Sequence, residues 1–160
     1  MTNKKIPFHF YFSLLGVLLF YFILEWLSIH HKALCNDDFW LTYHNMEYLK
    51  GMPYRDFPPY KSVLGYYFFL PGLLLSPNMQ GVTPFIQMKL WITCLNMLGF
   101  LGISLWMKKF YTSKAILFTW LIIIPSPMFL YSSTQIRVDF LAFLFACSME
   151  NSEMSIASTR

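Results

Sequence analysis

The sequence predicts an all-α, polytopic integral membrane protein, and three observations support that prediction. Of the 160 residues, 56% are hydrophobic, 20% are aromatic and only 12% are charged, a balance unusual for a soluble domain. The apolar residues come in long blocks, and about 20 of them suffice to cross a bilayer core of about 30 Å. The basic residues form small clusters beside those blocks. Such clusters set membrane topology, whereas a nucleic-acid binder needs a continuous basic stripe.

Three apolar blocks are long enough to be spanning helices: 7–29, 85–107 and 115–131. Glu25 is the only carboxylate of the first block and lies near one end. Lys89 lies near the start of the second block, where its long side chain can reach the interface. Pro125 and Pro127 should kink or end the third helix.

A shorter block, 63–75, is predicted to lie in the membrane interface. Lys4 and Lys5 place the start of the first helix in the cytoplasm. If 63–75 does not span, the basic cluster Lys108–Lys114 also lies in the cytoplasm, as positive residues prefer. Residues 30–84 then form one long extracytoplasmic loop.

Within that loop, residues 36–51 predict an amphipathic helix. Asn36 is a good N-cap, Asp37 and Asp38 fall in the first turn, and Gly51 is a good stop. Its modest apolar stripe consists of Phe39, Tyr43 and Met46. The two carboxylates have a purely structural alternative role, since they stabilise a helix N-terminus by about 0.3–1 kcal/mol.

The C-terminal residues predict an interrupted fourth helix. Residues 140–147 begin like a membrane segment, and 148–160 turn abruptly polar and serine-rich. About eight apolar residues cannot span a bilayer. We therefore expect a truncated or frame-shifted product with a disordered tail at 148–160.

The predicted topology gathers five ionisable residues at one outer membrane surface: Asp37, Asp38, Lys61, Arg137 and Asp139. A carboxylate there can act as a general base, and an arginine can bind phosphate through its planar fork. The structural alternatives are a lysine at the interface and an Arg–Asp pair at a helix end. His30, His31 and Cys35 match no closed zinc pattern, so no metal site is predicted, although a divalent cation remains an open alternative.

The order of several motifs resembles the N-terminal part of a GT-C superfamily membrane glycosyltransferase. The similarity is to the branch with protein mannosyltransferases and aminoarabinose transferases. Its motifs here are the acidic pair, a helix ending Tyr48–Gly51, Pro53–Phe57, Pro58–Lys61 with an aromatic step after it, and Arg137–Asp139. Two positions depart from the family pattern: Asp38 stands where Glu is usual, and Val138 where Pro is usual.

The resemblance implies transfer of a sugar from a polyprenyl-phosphate-linked donor to an acceptor hydroxyl outside the cytoplasm. Residues 1–147 would form a partial transmembrane catalytic domain, and the acceptor would be a lipid, glycan or protein. The implied reaction inverts the anomeric carbon. The implied site has Asp37 or Asp38 as base, Lys61 and Arg137 on the donor phosphate, and Asp139, Tyr54 and Arg55 orienting the acceptor.

Members of that family have many more membrane helices, so the resemblance implies a fragment that is inactive alone. Two other functions stay open: a small non-enzymatic adaptor or assembly subunit, and a piece of a transporter. The transporter alternative requires residues 63–75 to span the membrane.

Overall fold

The computed structural model of the chain describes residues 8–31, 36–58, 63–133 and 135. These residues contain six α-helices and no β-strand, which confirms the all-α prediction for this part of the chain. The helices are α1 (Phe8–His31), α2 (Asn36–Tyr48), α3 (Val63–Leu74), α4 (Thr83–Met107), α5 (Ser113–Ile123) and α6 (Pro127–Ser133). The predicted helix at 140–147 and the tail at 148–160 lie outside the described residues.

Among the described helices, α1 and α4 are long and apolar enough to cross a membrane. They have 24 and 25 residues, and at about 1.5 Å per residue each exceeds a bilayer core of about 30 Å. They occupy the predicted spans 7–29 and 85–107. The number of crossings and the side on which the loop lies stay predictions.

The third predicted span, 115–131, is broken into α5 and α6. The two helices meet at an angle of 83°, and counting them as one span would give up to three. Pro125 lies in the break and Pro127 opens α6, the position at which a missing N–H costs least. Thr112 caps the other end of α5, where its hydroxyl accepts a hydrogen bond from the Ala115 N–H at 3.3 Å.

The described residues of one compact unit are 8–31 and 93–133. The buried face of α1 repeats at helical spacing: Phe10, Leu14, Val17, Leu18, Tyr21, Glu25 and Ile29. Its ring contacts include Tyr21 edge-on to Phe100 at 5.1 Å, and Phe100 in turn lies 4.7 Å from Trp120. The remaining apolar side chains of α1 are exposed except Phe22 and Leu24, which are half-buried, a pattern typical of a helix with lipid on one side.

The other compact unit contains α2, α3 and the first turns of α4. Helix α2 packs on α3 through Tyr48 and Tyr66, whose rings stack at 4.8 Å. Helix α3 packs on α4 at Gly72, where an added Cβ would lie 2.6 Å from the Trp91 Cβ. The Trp91 ring N–H donates to the Phe68 carbonyl oxygen at 2.7 Å. Because Gly72 has no side chain, α3 and α4 can cross closely, and the Trp91 hydrogen bond stabilises that crossing.

Helix α3 occupies the block predicted to lie in the interface. Its 12 residues extend about 18 Å at about 1.5 Å each, well short of a bilayer core. Pro71 is accommodated inside the helix. An interfacial position for α3 stays a prediction.

Candidate functional site

Helix α2 has a polar buried face and an aromatic exposed face. Asp38, Thr42 and Asn45 are at most 1% exposed, and their spacing of four and three residues places them on one side of the helix. In the predicted stripe, the side chains of Phe39 and Tyr43 are 48% and 55% exposed, and that of Met46 is half-buried. The predicted stripe therefore lies on one side of α2, but that side faces outward. In a soluble amphipathic helix the apolar stripe faces the protein interior.

The buried face holds an ion pair between α2 and α4. Lys89 Nζ lies 2.8 Å from Asp38 Oδ2, and the two side chains are 6% and 1% exposed. The expectation that Lys89 reaches into the interface is wrong, since its ammonium binds a carboxylate inside the protein. Two charges held this way fix each other's position, and removing one leaves the other buried without compensation.

Two polar atoms beside this pair have no hydrogen-bond partner among the described residues: Thr42 Oγ1 and Asn45 Oδ1. The Asn45 side-chain amide donates to the Leu41 carbonyl oxygen at 2.8 Å, so only its oxygen is left over. Unpaired buried oxygens are costly. This face of α2 therefore offers acceptors for a donor group such as water or a hydroxyl.

An open cavity of about 450 Å³ lies against the exposed side of α2. It is lined by Phe39, Trp40, Thr42, Tyr43, Met46 and Phe85. The Phe39 ring meets the Phe85 ring of α4 edge-on at 5.0 Å. The lining carries no charged residue, so the cavity suits an apolar ligand.

Tyr54 and Arg55, predicted to orient the acceptor, lie in a tight turn after α2. Asp56 ties the turn together: its carboxylate accepts from the Met52 N–H at 2.7 Å, and its own N–H donates to the Met52 carbonyl at 2.9 Å. Arg55 donates two hydrogen bonds to the same carboxylate, at 2.8 and 2.9 Å. Arg55 and the Met52 N–H lower the pKa of Asp56, and the carboxylate raises the pKa of Arg55. Tyr54 is exposed, with a φ of 65°.

A second polar cluster, which the sequence analysis missed, lies in the other unit. Asn96 of α4 donates to the Tyr21 hydroxyl and to the Ser133 carbonyl oxygen, both at 3.1 Å. The Ser133 hydroxyl donates to Glu25, which is fully buried. The signal available in the sequence was a single carboxylate inside a predicted span, since such residues pair within the protein.

The described part of the structure holds only some of the predicted site. Asp37 lies in the first turn of α2, and its side chain is outside the description. Lys61, Arg137 and Asp139 also lie outside the described residues. Asp38 is brought together with Lys89, a partner that the sequence analysis did not assign. No family model, no curated protein and no solved structure matches this chain.

Proposed function

We propose that this chain is part of a membrane glycosyltransferase that uses a polyprenyl-phosphate-linked sugar and acts on the extracytoplasmic side. The observation that carries the proposal is the buried Asp38–Lys89 pair at the first turn of α2. It fixes the end of the helix on which the acidic pair lies. The order of motifs described above, from the acidic pair to Arg137–Asp139, adds independent support.

The ion pair suggests different roles for the two aspartates, one structural and one catalytic. Asp38 is engaged by Lys89, which suits a carboxylate that positions the helix end. Asp37 is then the base: it takes the proton of the acceptor hydroxyl. The acceptor oxygen bonds to the anomeric carbon while the bond from that carbon to the phosphate oxygen breaks. The polyprenyl phosphate leaves with the electron pair, and Lys61 and Arg137 stabilise its charge.

Binding of the donor lipid tests the proposal on the full chain in phosphatidylcholine nanodiscs. The probes are a polyprenyl phosphate and the polyprenol of the same length, with retention measured by native mass spectrometry. We expect the phosphate to bind more tightly, and Lys61→Ala and Arg137→Ala each to weaken it about tenfold, which corresponds to about 1.4 kcal/mol. Asp37→Asn should leave binding unchanged, because its role is proton transfer.

Lys50→Ala is the matched control, since Lys50 is an exposed lysine just after α2. Equal retention of the phosphate and the alcohol would contradict the proposal. So would an effect of Lys50→Ala as large as that of Lys61→Ala, because the lysines would then act only through net charge. Either result would favour the non-enzymatic adaptor.

The cluster around Glu25 favours a second candidate, a piece of a transporter. Carboxylates inside membrane segments often line the path of an ion or substrate, and Glu25 is fully buried among polar groups. The two candidates differ in topology, since the transporter needs residues 63–75 to span and thus places residue 111 outside. A cysteine at position 111 in a cysteine-free chain would then react with a membrane-impermeant thiol reagent in intact cells. The glycosyltransferase proposal expects labelling only after permeabilisation.

A further inference from the structure

The exposed face of α2 is apolar over about two turns, and three of its four residues are aromatic. Trp40 and Tyr43 are 58% and 55% exposed, and Phe39 lies beside them. Met46 continues the same side, and none of the four carries a charge. The opposite face buries Asp38, Thr42 and Asn45, as described above. A helix in water would gain from the reverse orientation, because burying the aromatic side chains and hydrating the polar ones are both favourable.

The environment of this face is indicated by its continuity with α4. Phe39 packs edge-on against Phe85, in the first turn of α4, and α4 is one of the two helices long and apolar enough to span. The first turn of a spanning helix lies where the hydrocarbon core meets the headgroups. Contact with Phe85 therefore sets the aromatic face of α2 at that depth.

The residue types fit that depth. Tryptophan and tyrosine are enriched at membrane interfaces because each combines an apolar ring with a polar group. The Tyr43 hydroxyl hydrogen-bonds Glu47, which raises the pKa of Tyr43. Its polar tip thus points along α2 toward Glu47, and its ring stays on the exposed face.

We propose that Phe39, Trp40, Tyr43 and Met46 form a lipid-contact surface, and that the cavity they share with Phe85 holds a hydrocarbon chain of a bilayer lipid. The partner is the membrane itself. The inference does not depend on the proposed enzymatic function, because it requires neither a sugar donor nor a catalytic carboxylate.

Spin-label accessibility tests the surface on the full chain in nanodiscs that contain no polyprenyl lipid. Single cysteines replace Trp40 or Tyr43 in a chain whose native cysteines are changed to serine, and each carries a nitroxide. Oxygen concentrates in lipid and a nickel chelate stays in water, so their collision rates separate the environments. Leu15 of α1, an exposed residue of a candidate span, is the lipid reference, and Lys50 is the water reference.

We expect the oxygen-to-nickel collision ratio at positions 40 and 43 to be several-fold above that at position 50, and below that at position 15, which lies deeper in its helix. A ratio like that of position 50 would show a hydrated surface and overturn the proposal. Low collision rates with both reagents would show that protein covers the face, which would also overturn it. The circular dichroism spectrum of each labelled chain should match that of the unlabelled chain. A loss of helical content with the label at both positions would contradict an outward-facing surface, because such a surface has room for the label.

A failure here would leave donor binding intact, and a failure of donor binding would leave these collision rates unchanged.

Discussion

Lys89 and Asp38 form a buried ion pair that ties the second turn of α4 to the first turn of α2, with 2.8 Å between Nζ and Oδ2. The pair joins segments that lie far apart in the sequence. A buried pair is strongly destabilised by loss of one partner and only weakly by replacement of both, because the unpaired charge carries the cost.

We therefore predict that Asp38→Ala or Lys89→Ala lowers the free energy of unfolding by about 3–5 kcal/mol. The double change Asp38→Leu with Lys89→Met should cost less than either single change. Denaturant titration in detergent measures all three. Arg55→Ala, which breaks an exposed ion pair with Asp56, is the control and should have little effect. Additive losses in the double variant would show that the two side chains do not act as a pair.

Two adjacent serines provide a matched test of the Glu25 cluster. Ser133 is buried and donates to Glu25, whereas Ser132 is exposed. Ser133→Ala should lower the free energy of unfolding by about 1–3 kcal/mol, because it removes the donor to a buried carboxylate. Ser132→Ala should stay within about 0.5 kcal/mol of the parent chain. Thermal unfolding of both variants measures the difference, and equal effects would mean that the Ser133 hydroxyl contributes no more to stability than the exposed Ser132 hydroxyl.

Tyr54 has a left-handed backbone, with a φ of 65°, which costs a non-glycine residue about 1–2 kcal/mol. Tyr54→Gly should raise the free energy of unfolding by about 0.5–1 kcal/mol, after allowance for the entropy of glycine in the unfolded chain. Tyr54→Val should lower it, since a β-branched residue tolerates this region least. Tyr54→Phe, the control, should change nothing. A destabilised glycine variant would show that contacts of the ring outweigh the strain.

The turn at Asp56 should weaken in acid. Arg55 and the Met52 N–H lower the pKa of Asp56, so its folded-state pKa lies below the unfolded value of about 3.9. The stabilisation is therefore present above that value and is lost as the pH falls toward the folded pKa. Unfolding of the parent chain and Asp56→Asn between pH 6 and pH 2 measures this. Their difference should be largest at the upper end and shrink in acid, and a constant difference would contradict the assigned cause.

Local signals in the sequence predicted the helices well. The helix predicted over 36–51 is present as α2 and ends three residues earlier, at Tyr48. The two prolines locate the break in the third apolar block, because a proline acts on its own helical turn. The orientation of α2 was not predictable, since one sequence gives the spacing of a stripe but not the medium it faces. The Glu25–Ser133 contact spans 108 residues. Lys89 has the sequence position of an interface lysine, and only the packing of α2 on α4 brings Asp38 to its ammonium. Such pairings depend on how helices pack, which local patterns do not encode.

The 83° bend between α5 and α6 limits where this segment could lie in a membrane. In a continuous helix the N–H of residue 125 would pair with the Leu121 carbonyl, and proline has no N–H to give. Hydrocarbon offers no substitute donor for that oxygen. If α5 and α6 together cross a bilayer, the kink must therefore lie where water or a neighbouring side chain can reach the Leu121 oxygen. Pro125 would then keep the Ile123 end of α5 out of the hydrocarbon core.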